Sequence, residues 1–325
     1  MEEKETNVSQ ARREIENKMG KGKAISEMFD LVELYAKQDC PILFEGETGV
    51  GKKEIVNYLH SISPRYGRGI VTIDCATLHE NLVGTDLFGT KKGAFTGAKD
   101  RIGKIELANG GTLFLDNINY LSIPMQHLFL RILDERKFTE IGGNKLIYSD
   151  IRIVAVSNEN FKNLIEKNRF CRELFYRFAV KISIPNLKVR SEDTDFFINK
   201  FMKEKSKGLR KREIGIETEA KNLIKNYSWD GNIRQLKNFI YQTVTYVKPM
   251  SNGKHIISSE LVKTLLADEI LIGNEKTNDF TLDTAIKNAI ERALEESGGN
   301  NDKAIALLDM KRRTYFRWKK ELNIE

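Results

Sequence analysis

Gly46-Glu-Thr-Gly-Val-Gly-Lys52 constrains this chain more than any other stretch. It joins an apolar, strand-like run (Pro41-Ile-Leu-Phe-Glu45) to residues at helical apolar spacing (Ile55, Tyr58, Leu59). Glycines let the backbone curl until successive N–H groups point at phosphate oxygens, and the amino end of the following helix adds a favourable dipole. Lys52 supplies the charge opposite the β and γ phosphates. Gly46, Glu47, Thr48, Gly49, Val50, Gly51, Lys52 and Lys53 are therefore the expected cradle for a nucleotide, ATP, with Mg²⁺. Lys53 stands where a hydroxyl usually meets the metal, so Mg²⁺ is expected to be held by other groups or through water.

Such a loop belongs in a parallel sheet covered by helices. Further strand-like runs at Ile70–Ile73, Thr112–Leu115 and Ile151–Val156 alternate with helix-like stretches such as 121–135, which makes residues 21–185 one α/β domain. Residues 1–20 read as a short helix or frayed arm. After Ile184-Pro185, helical periodicity over 192–208, 217–227, 232–248 and 258–267 predicts a smaller helical domain, 186–266. Residues 267–279, of mixed polarity and no sustained period, read as a linker to a last module, 280–325.

Composition removes several alternatives. With 40% hydrophobic and 30% charged residues, the 325-residue chain can bury a core without disulfide or metal staples. No apolar run approaches the ~18–20 residues that span a bilayer, and the charged opening lacks the apolar core of a secretory signal. Membrane and secreted classes are set aside. Cys40, Cys75 and Cys171 match neither a disulfide framework nor a metal knuckle, so a cytoplasmic setting is expected. His60, His79, His127 and His255 lack ligand spacing, and no zinc is expected. Lys and Arg total 53 against 46 Asp and Glu, a net charge of +7 compatible with a polyanionic partner.

In Gly110-Gly-Thr-Leu-Phe-Leu-Asp116 an apolar strand ends on a carboxylate, at the sheet edge where it can support Mg²⁺. Gly93-Ala-Phe-Thr-Gly-Ala98 follows Asp86-Leu-Phe-Gly89, and Trp229-Asp-Gly-Asn-Ile-Arg-Gln-Leu236 lies in the helical part. With these motifs the chain resembles, from about residue 20 to 325, the AAA+ bacterial enhancer-binding proteins that activate sigma-54 RNA polymerase. The resemblance implies an α/β fold: an AAA+ P-loop parallel sheet core, a helical lid and a C-terminal helix-turn-helix domain. It implies that Gly93, Ala94, Phe95, Thr96, Gly97 and Ala98 form the loop that touches sigma-54, with Phe95 and Thr96 in contact. It also implies that Asn158 is the first sensor, Arg234 the second sensor on the lid, and Arg177 an arginine finger reaching a neighbouring subunit's ATP. A finger acting across subunits requires a ring, typically a homohexamer in this family.

Four positions depart from the family pattern. Asn117 replaces the Glu that orients the attacking water, and an amide cannot accept a proton as a base. Asp74 stands where the family has the asparagine paired with that Glu, so Asp74 and Asn117 are expected to form an exchanged acid–amide pair. Cys171 replaces the first finger arginine, with Arg169 and Arg172 nearby. Lys53 replaces an acidic residue, and Glu54 follows one position late.

At the carboxyl end, Ala304, Leu307 and Leu308 precede a turn at Asp309-Met310 and then Lys311–Lys320, a helix-turn-helix pattern similar to factor-for-inversion-stimulation domains. Its second helix is expected to bury Tyr315, Trp318 and Leu322. Arg312, Arg313, Thr314, Arg317 and Lys320 then face double-stranded DNA. The expected whole is an ATP-hydrolysing activator that remodels the sigma-54 closed complex. No sensory domain is expected in the chain, so control comes from a separate regulatory protein, nucleotide level or expression. The rival is an ATP-gated DNA-binding regulator with little hydrolysis, acting as a repressor or mixed-ring subunit. A small-molecule kinase would leave Gly93–Ala98 and the DNA module unexplained.

Overall fold

The computed structural model describes residues 2–78, 80–208, 214–247, 255–275 and 300–307, together with Ile290, Ala293, Leu294, Ser297, Gly298, Arg312, Tyr315, Phe316 and Lys319. The chain divides into two compact units, Met1–Ile257 and Ser258–Glu325. The first opens with α1 (Glu2–Met19), α2 (Lys23–Ala36), β1 (Ile42–Glu45), α3 (Lys52–Ser61), β2 (Ile70–Asp74), α4 (Glu80–Phe88), β3 (Gly89–Thr90) and β4 (Arg101–Ile102). It continues through α5 (Lys104–Leu107), β5 (Thr112–Asp116), α6 (Ile123–Glu135), β6 (Lys137–Phe138), β7 (Ile147–Tyr148), β8 (Arg152–Ser157), α7 (Phe161–Glu166), α8 (Arg172–Arg177) and β9 (Val180–Ser183).

β2, β5, β8, β1 and β9 pair in that order, all parallel, into a five-stranded sheet. A parallel sheet must be covered on both faces, so its strands read as continuous apolar runs. β5 shows the division: Leu113 and Leu115 join one core with Met125, Phe129 and Ile132 of α6. Phe114 joins the opposite core with Phe29 of α2 and Leu59 of α3. Arg152, buried at the start of β8, donates to the Ala36 and Tyr35 carbonyls (2.9 and 2.8 Å) and so caps the carboxyl end of α2.

The rest of this unit is α9 (Glu192–Gly208), β10 (Ile214–Ile216), α10 (Thr218–Asn226), α11 (Asn232–Tyr246) and β11 (His255–Ile257), with β10 and β11 paired in parallel. Trp229 is buried in the turn before α11, stacked edge-on against Phe239 and donating Nε1–H to the Ile224 carbonyl. In the second unit α12 (Ser259–Glu275) runs through most of the segment expected as a linker. Ala267, Asp268, Glu269, Leu271 and Ile272 are all compatible with a helix, and the single Gly273 costs only about 1 kcal/mol there. Residues 276–279 lie outside the described residues. A separate helix spans Asn301–Leu307, and Ile290, Ala293, Ala304 and Tyr315 share a small core.

The expected arm over 1–20 is a helix integral to the first unit. Ile15 and Met19 are buried, and Arg12 forms ion pairs with Glu16, Asp30 and Glu33 (3.0, 2.8 and 2.6 Å) over the Phe29 ring. Tyr58 Oη completes this cluster by donating to Glu33. Arg12→Ala is expected to cost about 2–3 kcal/mol of stability, since it strands charged partners. Hydrogen exchange of residues 8–19 should accelerate; a melting temperature equal to that of the parent would show that α1 docks without this cluster.

Candidate active site

The sheet order sets the site. β8 lies between β1 and β5, so the loop after β1, Asn158 after β8 and Asp116 at the end of β5 meet at one carboxyl edge. Gly46 N–H donates to the Ser157 carbonyl (3.1 Å), which starts the loop's turn away from the sheet. Gly49 and Gly51 have φ of +83° and +105°, conformations open to glycine. A β-carbon on Gly49 would lie 2.1 Å from the Gly231 carbonyl oxygen, so only glycine fits there. Lys52 Nζ donates to the Gly46 and Glu47 carbonyls (2.7 and 3.0 Å). Burial pushes its ammonium down to about 8; Asp116 and Glu47 oppose the fall and Arg234 adds to it. Val50 is buried beneath the loop, while Thr48 and Lys53 are exposed.

Asp74 and Asp116 are direct register partners at the ends of β2 and β5. Burial pushes Asp116 above the usual carboxylate range, Asp74 adds to this, and Lys52 opposes it. Asn117 follows in the left-handed conformation (φ 57°, ψ 47°), which Asn tolerates better than most side chains. Its Nδ2 donates to Asp74 Oδ1 at 3.2 Å, so the exchanged acid and amide do form a pair. Ala76 N–H donates to the same oxygen (3.1 Å). Among the described residues no cluster of three or more His, Cys, Asp or Glu is arranged to hold a metal alone. A nucleotide-bound Mg²⁺ needs only one or two carboxylates besides phosphates and water, and Asp116 beside Asp74 fits that donor set.

Asn158 Oδ1 is buried without a hydrogen-bond partner, and Asn160 caps α7 instead, so Asn158 has no capping duty. Arg177, at the end of α8, pairs through two nitrogens with the Asp134 carboxylate of α6 (2.7 and 3.0 Å). Of the two arginines near Cys171, Arg169 is held by Glu159 (2.9 and 3.2 Å) and Arg172 is exposed. Arg234 is exposed on α11, and its Cβ lies 3.1 Å from where a Gly49 β-carbon would be.

Gly93–Ala98 occupies the tip of the hairpin between β3 and β4. Phe95 is 53% exposed, and Gly93 and Gly97 (φ +90° and +84°) have open space where a side chain would be. Thr96 is exposed, and Ala94 and Ala98 are half-buried. A second loop braces the hairpin: Lys91 N–H donates to the Ile141 carbonyl, Lys91 Nζ meets Glu140 at 3.2 Å, and Gly142 packs against Ala94.

Sequence reasoning passed over three polar residues. Asn232 is buried with φ +52° and donates from Nδ2 to Glu47 Oε2 and the Thr48 carbonyl (3.0 and 3.1 Å). Asn186 donates to Glu47 Oε1 (2.7 Å). Gln126, wholly buried, donates to the Leu121 and Arg169 carbonyls and accepts from Cys171 N–H at 2.6 Å. The available signals were a Gly-Asn pair before a helix, for Asn232, and an amide between Met125 and Phe129 on an apolar helix face, for Gln126. Of the expected DNA-facing residues, Arg312 is exposed and paired with Asp302 (3.1 Å). Arg313, Thr314, Arg317 and Lys320 lie outside the described residues, as do Trp318 and Leu322. Tyr315 is buried and donates to Asn301 Oδ1.

The Lys52 shift gives a testable pH dependence. A phosphate prefers the charged lysine, so binding raises its pKa and takes up a proton once the pH exceeds about 8. ATP affinity should hold from pH 7 to 8 and then fall, by at most about tenfold per pH unit. Calorimetry at pH 9 in buffers of different ionisation enthalpy should register the proton; flat affinity up to pH 10 would mean that Lys52 does not neutralise phosphate.

Comparison with known proteins agrees with this geometry. Residues 18–183 match the sigma-54 interaction domain and residues 188–271 the AAA+ ATPase lid domain. The transcriptional regulatory protein ZraR of Escherichia coli K12 is 34% identical over 298 residues, covering 91% of this chain and 66% of ZraR. The Nif-specific regulatory protein of Herbaspirillum seropedicae is 36% identical over 241 residues, 74% of this chain and 44% of that protein. The crystal structure of NtrX from Brucella abortus in complex with ATP superposes with a TM-score of 0.69 at 25% identity, over 93% of this chain and 68% of NtrX. The chain thus spans two thirds or less of the length of these two regulators, and it belongs to the sigma-54-dependent AAA+ activators.

Proposed function

We propose that the protein is an ATP-driven transcriptional activator of the cytoplasm that remodels sigma-54 RNA polymerase closed complexes from a homohexameric ring bound to upstream double-stranded DNA. The observation that carries this reading is the hairpin tip, which presents an exposed Phe95 between two glycines with open space around them. An apolar side chain held out on a braced loop suits contact with another protein. Arg312, Arg313, Thr314, Arg317 and Lys320 are assigned to DNA, and the inducing signal to a separate regulatory protein.

At the nucleotide, the backbone of 46–52 and the Lys52 ammonium hold the β and γ phosphates. Mg²⁺ would be held by Asp116 and the phosphates, where it neutralises developing charge. Asp74 takes the water-orienting role. Asn117 and Ala76 both donate to Oδ1, which leaves Oδ2 to align the attacking water. Alignment is the main demand here, because phosphoryl transfer passes through a loose transition state. Asn158 donates toward the γ phosphate, Arg234 covers it from the lid, and Arg177 leaves Asp134 to reach a neighbour's ATP.

Asp74→Asn is expected to lower kcat about 10- to 100-fold, roughly 1.4–2.7 kcal/mol of barrier. Unchanged steady-state turnover would remove Asp74 from the role. A second reading, an ATP-gated DNA-binding regulator without useful turnover, draws on Asn117 in place of a glutamate. No turnover in the parent with recovery in Asn117→Glu would favour it. Phe95→Ala should abolish promoter opening and complex formation with sigma-54 in an ATP-transition-state mimic; retained binding would move the contact off the hairpin tip.

A further inference from the structure

We infer that Glu47 is the positioning residue through which the phosphate loop moves the lid. The inference rests on the nucleotide-binding reading of the loop and goes beyond it by naming a coupling contact. Glu47 is an acid within an anion-binding loop, so its carboxylate gains nothing from facing phosphate. Both oxygens are used elsewhere: Oε1 accepts from Asn186 Nδ2 at 2.7 Å and Oε2 from Asn232 Nδ2 at 3.0 Å.

Asn186 sits where the chain leaves the sheet for the lid, and Asn232 at the start of the lid helix that carries Arg234. Asn186 follows the last sheet strand and accepts from Val189 N–H (3.2 Å), which caps the turn Leu187–Arg190. Asn232 opens α11, two residues before Arg234, and accepts from Leu187 N–H at 2.7 Å, so it ties α11 to that turn. Three consecutive loop residues touch this assembly: Glu47 by its carboxylate, Thr48 by its carbonyl to Asn232, and Gly49 by close approach of the Gly231 carbonyl. When phosphate seats on the loop backbone, displacement of 47–49 is delivered to the hinge at 186–190 and to the helix carrying Arg234. Glu47 also faces Lys52 electrostatically, so one carboxylate feels both the phosphate-binding lysine and the lid.

The polarity of the contacts gives a decisive test. Glu47→Gln turns one acceptor into a donor facing an amide donor. Asn186→Asp sets a carboxylate against Glu47. In the double variant the amide nitrogen introduced at position 47 can donate to the carboxylate introduced at position 186, while the amide oxygen at 47 still accepts from Asn232. The pairing is then restored with reversed sense.

Hydrogen exchange of 186–190 and 232–240 is measured on the full chain with and without ATP, beside kcat, KM and melting temperature. In the parent, ATP should slow exchange in both segments. Each single variant should lose that ATP-dependent difference and about tenfold in kcat, with KM changed less than about threefold; the double variant should regain both to within about threefold. Singles that keep the parent's ATP-dependent protection, or a double no better than the worse single at equal melting temperature, would overturn the coupling. Failure of the underlying reading looks different: the parent would then show no ATP-dependent protection and would bind ATP no better than Lys52→Ala.

Discussion

Everything at the site depends on one constraint, that β2, β5, β8, β1 and β9 run parallel, so all five strands end at the same edge. Parallel pairing with β8 between β1 and β5 brings the phosphate loop, Asn158 and Asp116 together although more than a hundred residues separate the first two. The same register sets Asp74 directly beside Asp116. No loop flexibility is needed to assemble these groups. Each lies at or just beyond the end of a sheet strand, and the two cores on either side of β5 hold that edge.

Burial raises the Asp116 carboxyl, and the Asp74 carboxylate beside it raises it further. A glutamate at 117 would add a third negative group at this edge. Asn117 instead donates a hydrogen to Asp74 and tolerates the left-handed backbone required there. The exchange of acid and amide between strands β2 and β5 is therefore internally consistent. It puts the carboxylate on the neighbouring strand end and keeps the donor–acceptor pairing that holds it still. The pairing that fixes Asp74 survives the exchange, whereas loss of the glutamate alone would have left an unpaired amide.

What was legible in the sequence follows the same physics. β1, β5 and β8 announce themselves as apolar runs because both their faces are covered, β2 shows through Ile70, Val71 and Ile73, and the glycine loop declares its own backbone requirement. β9 was not legible: one of the two edge strands, it alternates buried Val180 and Ile182 with exposed Lys181 and Ser183, and four residues are too few to fix a period. The helix over 267–275 was hidden by its mixed polarity. Asn186, Asn232 and Gln126 matter through partners at the far ends of the chain, such as Glu47 and Cys171, and no local pattern encodes a tertiary hydrogen bond.

Gln126 fixes the backbone at Cys171 whatever side chain stands there. The start of α8 is fixed by its backbone: Gln126 takes the Cys171 N–H and holds the Arg169 carbonyl, while Glu159 grips the Arg169 side chain. The side chain at 171 adds only partly buried packing against the neighbouring core. Six residues on, Arg177 closes the same short helix, where a cation suits the carboxyl end, and Asp134 holds its guanidinium. Glu159 also accepts from Asn119, just past Asn117. A chain of contacts thus runs from Asn119, beside the acid–amide pair, through Glu159 and Arg169 to the start of α8, and Asp134 ties down the far end of that helix at Arg177.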